Sequence, residues 1–378
     1  MTPTTLHIIT GLTDGGAEAV LFRLCSRDTG GTHHVVSLMG LGKYGPLLEA
    51  AGVHVTTLDM PRGRVSLRGL WRLWRLMRHL RPDVVQTWMY HADLIGGVVG
   101  RLAGRRRIFW GIRHTRLIPG ESSRATILVA RICARLSRRV PEGIVCCAEA
   151  AAEVHAEMGY DRTRMHVIPN GYDIARFQPD PDAGRAIRRE CGLTPDQPVI
   201  GFVARYNAQK DHHTLLDALA LLKTRGGCPH CLLVGTDIDT GNAELGAAIA
   251  ERGLEAFVHL LGQRADIPAV MNALDLHVMS SSFGEAFPNV LSEAMACGTP
   301  CVTTDVGDAA IIVGETGRIV PPKQPESLAQ AIADLLAEHG TAAWHERRGA
   351  ARQRVIAKFS LERMIARYRA VWAGKAPD

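Results

Sequence analysis

Residues 280–298 read SSSFGEAFPNVLSEAMACG, directly after the apolar run Leu276–Met279. A short apolar run that breaks into a polar loop, and then passes without a gap into a helical stretch from Asn289 to Ala296, is one strand–loop–helix unit of a parallel sheet. The loop carries Gly284 and Pro288, and the helix opens on amides around Val290 and Leu291 that have no intrahelical partner. Such a helix start suits an anion. Two carboxylates eight residues apart, Glu285 and Glu293, flank the same point; as an isolated pair they would read as ordinary surface residues, and it is the glycine, proline and small-residue setting that singles them out.

The same unit recurs outward in both directions. Apolar, β-branched runs near Leu6–Thr10, His34–Met39, Val53–Leu58, Asp83–Trp88, Ile108–Arg113, Gly143–Cys147 and His166–Pro169 alternate with amphipathic stretches. A second series follows near Val199–Ala204, Cys231–Gly235, Val258–Leu261, Leu276–Met279, Pro300–Thr304 and Arg318–Val320. This alternation predicts an α/β chain with two doubly wound parallel sheets. A length of 378 residues supports two domains. The turn formers of Pro169-Asn-Gly-Tyr-Asp and Phe177-Gln-Pro-Asp-Pro-Asp182 place the hinge near residue 178. Domains are therefore expected at 1–178 and 179–358, with a C-terminal helix in 359–378 whose stripe Leu361, Met364, Ile365 and Tyr368 needs an apolar surface, expected on the first domain.

With 46% hydrophobic and 22% charged residues, the chain can build cores, and disorder is expected only over Ala373–Asp378. No apolar stretch is long enough to span a membrane. Met1–Thr10 lacks the basic start of a signal peptide, so a cytoplasmic protein is expected. Nine cysteines, several inside apolar runs, fit reduced thiols. Cys228-Pro-His-Cys231 has the spacing of a redox dithiol, but Cys231 starts a strand where such a motif should open a helix. Residues 1–180 hold 24 Lys and Arg against 15 Asp and Glu, a net of +9, whereas the rest holds 20 against 23, a net of −3. The first half faces something anionic or carries a basic solvated surface.

Other candidate positions lie at strand ends. The loop Gly11-Leu-Thr-Asp-Gly15-Gly16-Ala-Glu18 follows the first strand and serves either an anion or a tight turn. Arg205 and Lys210 follow the first strand of the second domain; two cations at that crevice suit a diphosphate, or are solvated loop charges. Glu285 is placed for sugar hydroxyls and Glu293 for a ribose. His91 ends a strand and reads as structural or acceptor-facing. Ser66–Arg81 is an amphipathic helix with Leu67, Leu70, Trp71, Trp74 and Met77 on one stripe and Arg68, Arg72, Arg75 and His79 opposite. It is expected to pack its stripe on the sheet, with contact between its basic face and anionic lipid as the alternative. Asp237-Ile-Asp239 has the form of a metal-binding Asp-x-Asp, set here in a loop ending Thr240-Gly-Asn.

Together, Gly-Gly-Ala-Glu at 15–18, Pro169-Asn-Gly-Tyr-Asp-Ile-Ala-Arg-Phe177 and the Glu285/Glu293 segment with its Glu-Ala-Met-Ala-Cys-Gly resemble family 4 of the retaining glycosyltransferases over nearly the whole chain. The resemblance implies the GT-B architecture, two Rossmann-like domains facing a central cleft. It implies EC 2.4 transfer of a sugar from a nucleoside-diphosphate sugar to a hydroxyl acceptor with retention of configuration, in cell-surface polysaccharide, lipopolysaccharide or glycolipid synthesis. Arg205 and Lys210 would hold the diphosphate, Glu285 the transferred sugar and Glu293 the ribose. Gly16, Phe287, Pro288, Asn289, Val290 and Leu291 would complete the donor site. His114, in Arg113-His114-Thr115, matches the active-site histidine, and His114, His91 and Gly15 are the candidate acceptor-side residues. The partners implied are a nucleotide-sugar donor and a saccharide or lipid-linked saccharide acceptor, with no nucleic acid, no cofactor and no metal, at a cytoplasmic site; peripheral contact with the anionic inner face of the membrane is the alternative that the basic helix raises. An epimerase, a sugar phosphorylase and a non-catalytic nucleotide-sugar-binding protein are the alternatives. Where many members carry an acid, this chain has Ile311, which leaves the base and far-ribose contacts open.

Overall fold

In a computed structural model, residues 3–61, 63–115, 117 and 123–377 are described. They divide into two compact units, one of residues 1–171 with 361–378 and one of residues 172–360.

The first unit is a parallel sheet of β1 (Thr4–Ile9), β2 (Thr32–Ser37), β3 (His54–Thr57), β4 (Val84–Trp88), β5 (Ile108–Ile112), β6 (Gly143–Cys146) and β7 (Met165–Val167). The strand order is β3-β2-β1-β4-β5-β6-β7, so the winding reverses between β1 and β4. Its crossovers are α1 (Gly16–Arg27), α2 (Tyr44–Ala50), α3 (Leu67–Leu80), α4 (Tyr90–Leu102), α5 (Arg124–Leu136) and α6 (Glu149–Glu157). β4 and β5 are buried along their whole length, as a sheet covered on both faces requires. Helix α4 approaches closely because it carries glycine where it meets the sheet: a Cβ on Gly96 would lie 2.8 Å from both Ile8 and Thr87, and one on Gly97 2.6 Å from Trp110.

In the second unit β8 (Val199–Val203), β9 (His230–Val234), β10 (Val258–Leu260), β11 (Leu276–Met279), β12 (Cys301–Thr304) and β13 (Arg318–Val320) form a parallel sheet in the order β10-β9-β8-β11-β12-β13. The winding reverses between β8 and β11. Around it lie α7 (Pro181–Glu190), α8 (His212–Thr224), α9 (Ala243–Glu251), α10 (Ile267–Ala273), α11 (Asn289–Ala296), α12 (Ala309–Val313), α13 (Pro325–Leu336) and α14 (Ala342–Phe359). Side chains start several of these helices: Asp180, Asp211, Asn242 and Thr341 each accept a first-turn amide at their helix starts.

The last helix, α15 (Leu361–Trp372), belongs to the first unit, where Leu361, Met364, Ile365, Tyr368, Val371 and Trp372 enter one core with Ile9, Leu24 and Trp88. Polar clips fix its register. Arg369 pairs with Asp28, Tyr368 accepts from Arg113, and the Trp372 indole donates to Gln86 Oε1 at 3.0 Å.

Two readings of the sequence shift. The units change over at 171/172 rather than at 178, because Tyr172 is built into the second: its amide donates to Phe359 O at 2.9 Å and its hydroxyl to Asn289 Oδ1 at 2.5 Å. Turn formers without periodicity mark a break but not which side holds the segment. In α3 the packed face is Gly69, Leu73 and Met77, so of the expected stripe Met77 packs, Leu70 is half-buried and Leu67, Trp71 and Trp74 do not pack. Gly69 lets that face close on Met60, whose Cε would sit 2.4 Å from an added Cβ. Leu67, Trp71 and Trp74 are consequently exposed.

Candidate active site

The loops after β8 and β11 meet at the reversal point of the second sheet, the place where doubly wound folds bind ligands. They are stitched together. Ser280 Oγ donates to the carbonyls of Lys210 (3.1 Å) and Asp211 (2.9 Å), and the Ser282 amide to Gln209 O at 2.9 Å. Thr304 Oγ1, from β12, donates to Ser281 O at 2.6 Å.

On that scaffold the Lys210 ammonium donates to Glu285 Oε1, which also accepts from Ser281 Oγ at 2.8 Å. Glu285 is buried and Lys210 nearly so, which makes this a desolvated charge pair rather than a surface one. Glycines shape the carboxylate's loop: Gly284 has φ 74°, and Gly307, at φ 58°, lies so close that a Cβ would stand 2.3 Å from Glu285 O. Arg205 is exposed at the end of β8, with no hydrogen bond or ion pair to the described residues, and is free to meet a ligand. Beside the pair, α11 begins at Pro288 with no side chain capping it. Val290 and Glu293 are partly exposed on α11, whereas Leu291 is buried and its amide donates to Pro288 O at 3.3 Å.

Phe287 and Asn289 serve the fold. Phe287 lies between Tyr172 and Phe359, with ring centroids 6.5 and 5.4 Å away, and Asn289 takes the Tyr172 hydroxyl. Sequence reading gave no role to Ser281 or Gly307, the one bonded to Glu285 and the other pressed against its carbonyl. A serine run and a glycine in Asp-Val-Gly-Asp were visible, but only the tertiary pairing distinguishes them.

Behind Lys210 lie two buried imidazoles. Burial, and then the Lys210 charge, lower His212 to about 4 and His277 to about 3, and none of their ring nitrogens has a hydrogen-bond partner among the described residues. Both are neutral at pH 7. Because an unfolded histidine titrates near 6.5, the unfolded chain binds more protons below that pH, and stability is lost as pH falls from 6.5 through about 4. The slope is about 1.4 kcal/mol per pH unit for each group. In the first unit His155 is lowered similarly, to about 4, but buried Asp93 is raised to about 8 and acts with the opposite sign. Burial also lowers His7 in the first unit, so both sheets carry such histidines. Acidification from pH 6.5 to 4.5 should lower hydrogen-exchange protection in β8 and β11, and protection that is unchanged over that range would contradict this assignment.

In the first unit, the candidate residues sit at the β1/β4 reversal. Gly15 caps α1 and Gly16 opens it, with open space where a Gly16 side chain would be. The Glu18 carboxylate folds back over Gly15, and burial raises its pKa. His114 stacks on Tyr90, whose ring centroid is 6.5 Å away. The Tyr90 hydroxyl donates to His155 Nε2 at 2.8 Å, since His155 Nδ1–H is directed to Ala151 O. Desolvation lowers His114 and His91, the latter on the first turn of α4. Arg113 is not available to a ligand: it bonds Asn170 and Tyr368 and covers the Trp88 ring at 4.7 Å.

Metal-ligand side chains cluster once among the described residues, at buried His7, Cys25 and His33, whose donor atoms lie within 4.8 Å of one another. Their bonding is that of a hydrogen-bond chain. Trp88 Nε1–H points at His7 Nδ1 (3.2 Å), which leaves the proton on His7 Nε2 for His33 Nδ1 (2.9 Å), and His33 Nε2 faces Asp28 at 3.2 Å. A metal on His7 Nε2 would set Nδ1–H against the indole N–H, so the donor set does not fit one. Asp237 and Asp239 stay in their own turn, where Asp239 Oδ1 accepts the Gly241 amide at 2.8 Å. The nine cysteines are free, and burial lifts the Cys228 thiol to about 11 and that of Cys231 further still, opposite to what a redox dithiol needs.

Two Rossmann-like units of parallel sheet, each with its winding reversed inside the sheet, are the architecture of the GT-B glycosyltransferases. Residues 14–176 match the model for Glycosyltransferase Family 4 and residues 197–338 that for Glycosyl transferases group 1, and the chain belongs to this family. It is 27% identical over 321 residues, 79% of this chain and 78% of the other, to EpsF of Bacillus subtilis (strain 168), whose name carries only a provisional glycosyltransferase designation. The D-inositol 3-phosphate glycosyltransferase of Rhodococcus erythropolis is 36% identical over 198 residues, 50% of this chain; the chain spans 44% of that relative's length. Among solved structures, Anabaena HepE in complex with UDP superposes with a TM-score of 0.84 at 24% identity, covering 98% of this chain and 100% of the other. No described helix is long and apolar enough to cross a membrane.

Proposed function

We propose that the protein transfers a sugar from a nucleoside-diphosphate sugar to a hydroxyl of a saccharide or lipid-linked saccharide, with retention of configuration and without a metal, in the synthesis of cell-surface polysaccharide or glycolipid. The observation that carries this is the Lys210–Glu285 pair held at the β8/β11 reversal beside the open start of α11. The complexes of HepE with UDP and with UDP-glucose support a nucleotide-sugar donor.

When a donor enters, its diphosphate competes with Glu285 for the Lys210 ammonium. Lys210, Arg205 and the α11 amides then meet the charge that develops on the departing phosphate, while Glu285 turns to a hydroxyl of the transferred sugar. Glu293, one turn inside α11, takes the ribose. As the anomeric bond loosens toward an oxocarbenium-like state, a donor phosphate oxygen accepts the acceptor's proton, so no carboxylate base is required. Gly15, His91 and His114 form the acceptor side in this reading.

Saturation-transfer NMR over a panel of nucleotide sugars tests it: one donor family binds, and Lys210→Ala weakens it. Two side-chain cations make a divalent ion partly redundant, so initial rates with excess chelator should stay within about twofold of those with Mn²⁺, under about 0.5 kcal/mol in barrier. Activity abolished by chelator, restored by Mn²⁺ and lost in Asp237→Ala would contradict the metal-free reading.

A further inference from the structure

Helix α3 is turned so that part of its apolar surface faces outward. Val65 is 57% exposed, Leu67 85%, Trp71 54% and Trp74 38%. Positions 67, 71 and 74 fall on one side of the helix, within about 60° of arc at 100° per residue. Beside them run Arg68, Arg75 and Arg78, all exposed, with the Arg75 guanidinium 5.3 Å from the Trp71 ring and that of Arg78 5.9 Å from Trp74. From Met60 to Arg81 there is no acidic residue.

The neighbouring elements extend the same surface. α4 packs between α3 and α5, and its one acid, Asp93, is buried. α5 contains no acid and presents Arg124, Leu128, Arg131 and Arg135 outward at helical spacing. The outer side of the layer α3–α4–α5 thus exposes arginine, leucine and tryptophan, and no carboxylate from these three helices. On the other side of the sheet α1, α2 and α15 carry Glu18, Glu49 and Glu362 among their charges. The acid-free surface is local to α3, α4 and α5, because α6, a crossover in the same winding direction, carries Glu149, Glu153 and Glu157.

We infer that the outer face of α3 and α5 is a docking surface for an anionic phospholipid bilayer. Two chemistries are needed to cover it. Guanidinium groups without counter-carboxylates call for phosphate oxygens, which they bind as planar forks. Tryptophan with a cation over its ring is suited to the headgroup boundary, where the indole body enters the acyl region and the polar edge stays wet. An acidic protein would answer the first need and leave Leu67 and Trp71 beside charge. The ridge lies at the start of α3, which is the end of the helix at the carboxyl edge of the sheet, so a bilayer held there is level with the loops that carry Gly16, His91 and His114. This deepens the lipid-linked acceptor reading, yet binding to vesicles needs neither donor nor acceptor, so either can fail without the other.

Four of the six tryptophans, Trp88, Trp110, Trp344 and Trp372, are buried, so contact quenching by bromine on lipid acyl chains reports on Trp71 and Trp74. The full chain should sediment with phosphatidylglycerol-containing vesicles at low salt, be released by high salt, ignore pure phosphatidylcholine and lose fluorescence to brominated lipid. Arg68→Gln/Arg75→Gln/Arg78→Gln should lower vesicle affinity by roughly tenfold or more. Trp71→Ser/Trp74→Ser should lower it similarly and abolish the bromine quenching. Arg189→Gln/Arg225→Gln/Lys323→Gln, which removes the same charge from the second unit, should leave it unchanged. No sedimentation with anionic vesicles, sedimentation without quenching, or equal loss in the second-unit variant would each overturn the inference.

Discussion

Glu285→Ala is expected to lower turnover on the order of 100-fold or more, about 3 kcal/mol in barrier, while the free nucleoside diphosphate still binds. The carboxylate is fixed by Ser281 and by a loop that Gly307 allows to close, so it is positioned before substrate arrives. Such preorganisation is what a transition-state contact requires. In the unliganded protein it also neutralises Lys210, and removing it frees that cation for phosphate, so diphosphate affinity should hold or rise. Glu293→Ala should show the converse, a weaker nucleotide with a smaller effect on the chemical step. Calorimetry with the free diphosphate separates the two, and the same loss of affinity in both variants would refute the division of roles. Glu285→Gln preserves the shape of the loop and distinguishes lost charge from a collapsed one.

The second large effect concerns stability. Trp372→Ala should destabilise the first unit by about 3–5 kcal/mol, the usual cost of removing a large buried aromatic. Its ring lies 5.4 Å from Tyr368, 5.8 Å from His7 and 6.3 Å from His33, and its N–H satisfies Gln86, a fully buried amide. The loss therefore opens a cavity and leaves a polar group unpaired. Because α15 contributes to the core of the first unit, denaturation followed by hydrogen exchange should show β1 and β4 losing protection at lower denaturant while β8 and β11 hold. A shift confined to the second sheet would contradict the placement.

The architecture was legible because parallel strands covered on both faces are short continuous apolar runs, and each of the thirteen runs is a strand in its expected sheet. Boundaries moved by a residue or two, as at β1, where pairing with β2 starts at Thr4. Periodicity placed α3 only in part: Met77 of its expected stripe packs, but the buried face turns through Leu73 and Gly69, where a Cβ would meet Met60. Lys210 and Glu285 are far apart in sequence, yet each follows a strand at the carboxyl edge of one sheet, and that position is legible from the runs alone. The roles of Ser281, Gly307 and the buried pair His212 and His277 are not, because their importance lies in what they touch.

The most direct measurement is release of nucleoside diphosphate from a panel of nucleotide sugars by the wild type, Lys210→Ala and Glu285→Ala. The account predicts release above background from at least one donor, reduced on the order of 100-fold in each variant. Cleavage of no donor in the panel together with no donor binding, or variants that match the wild type, would contradict it.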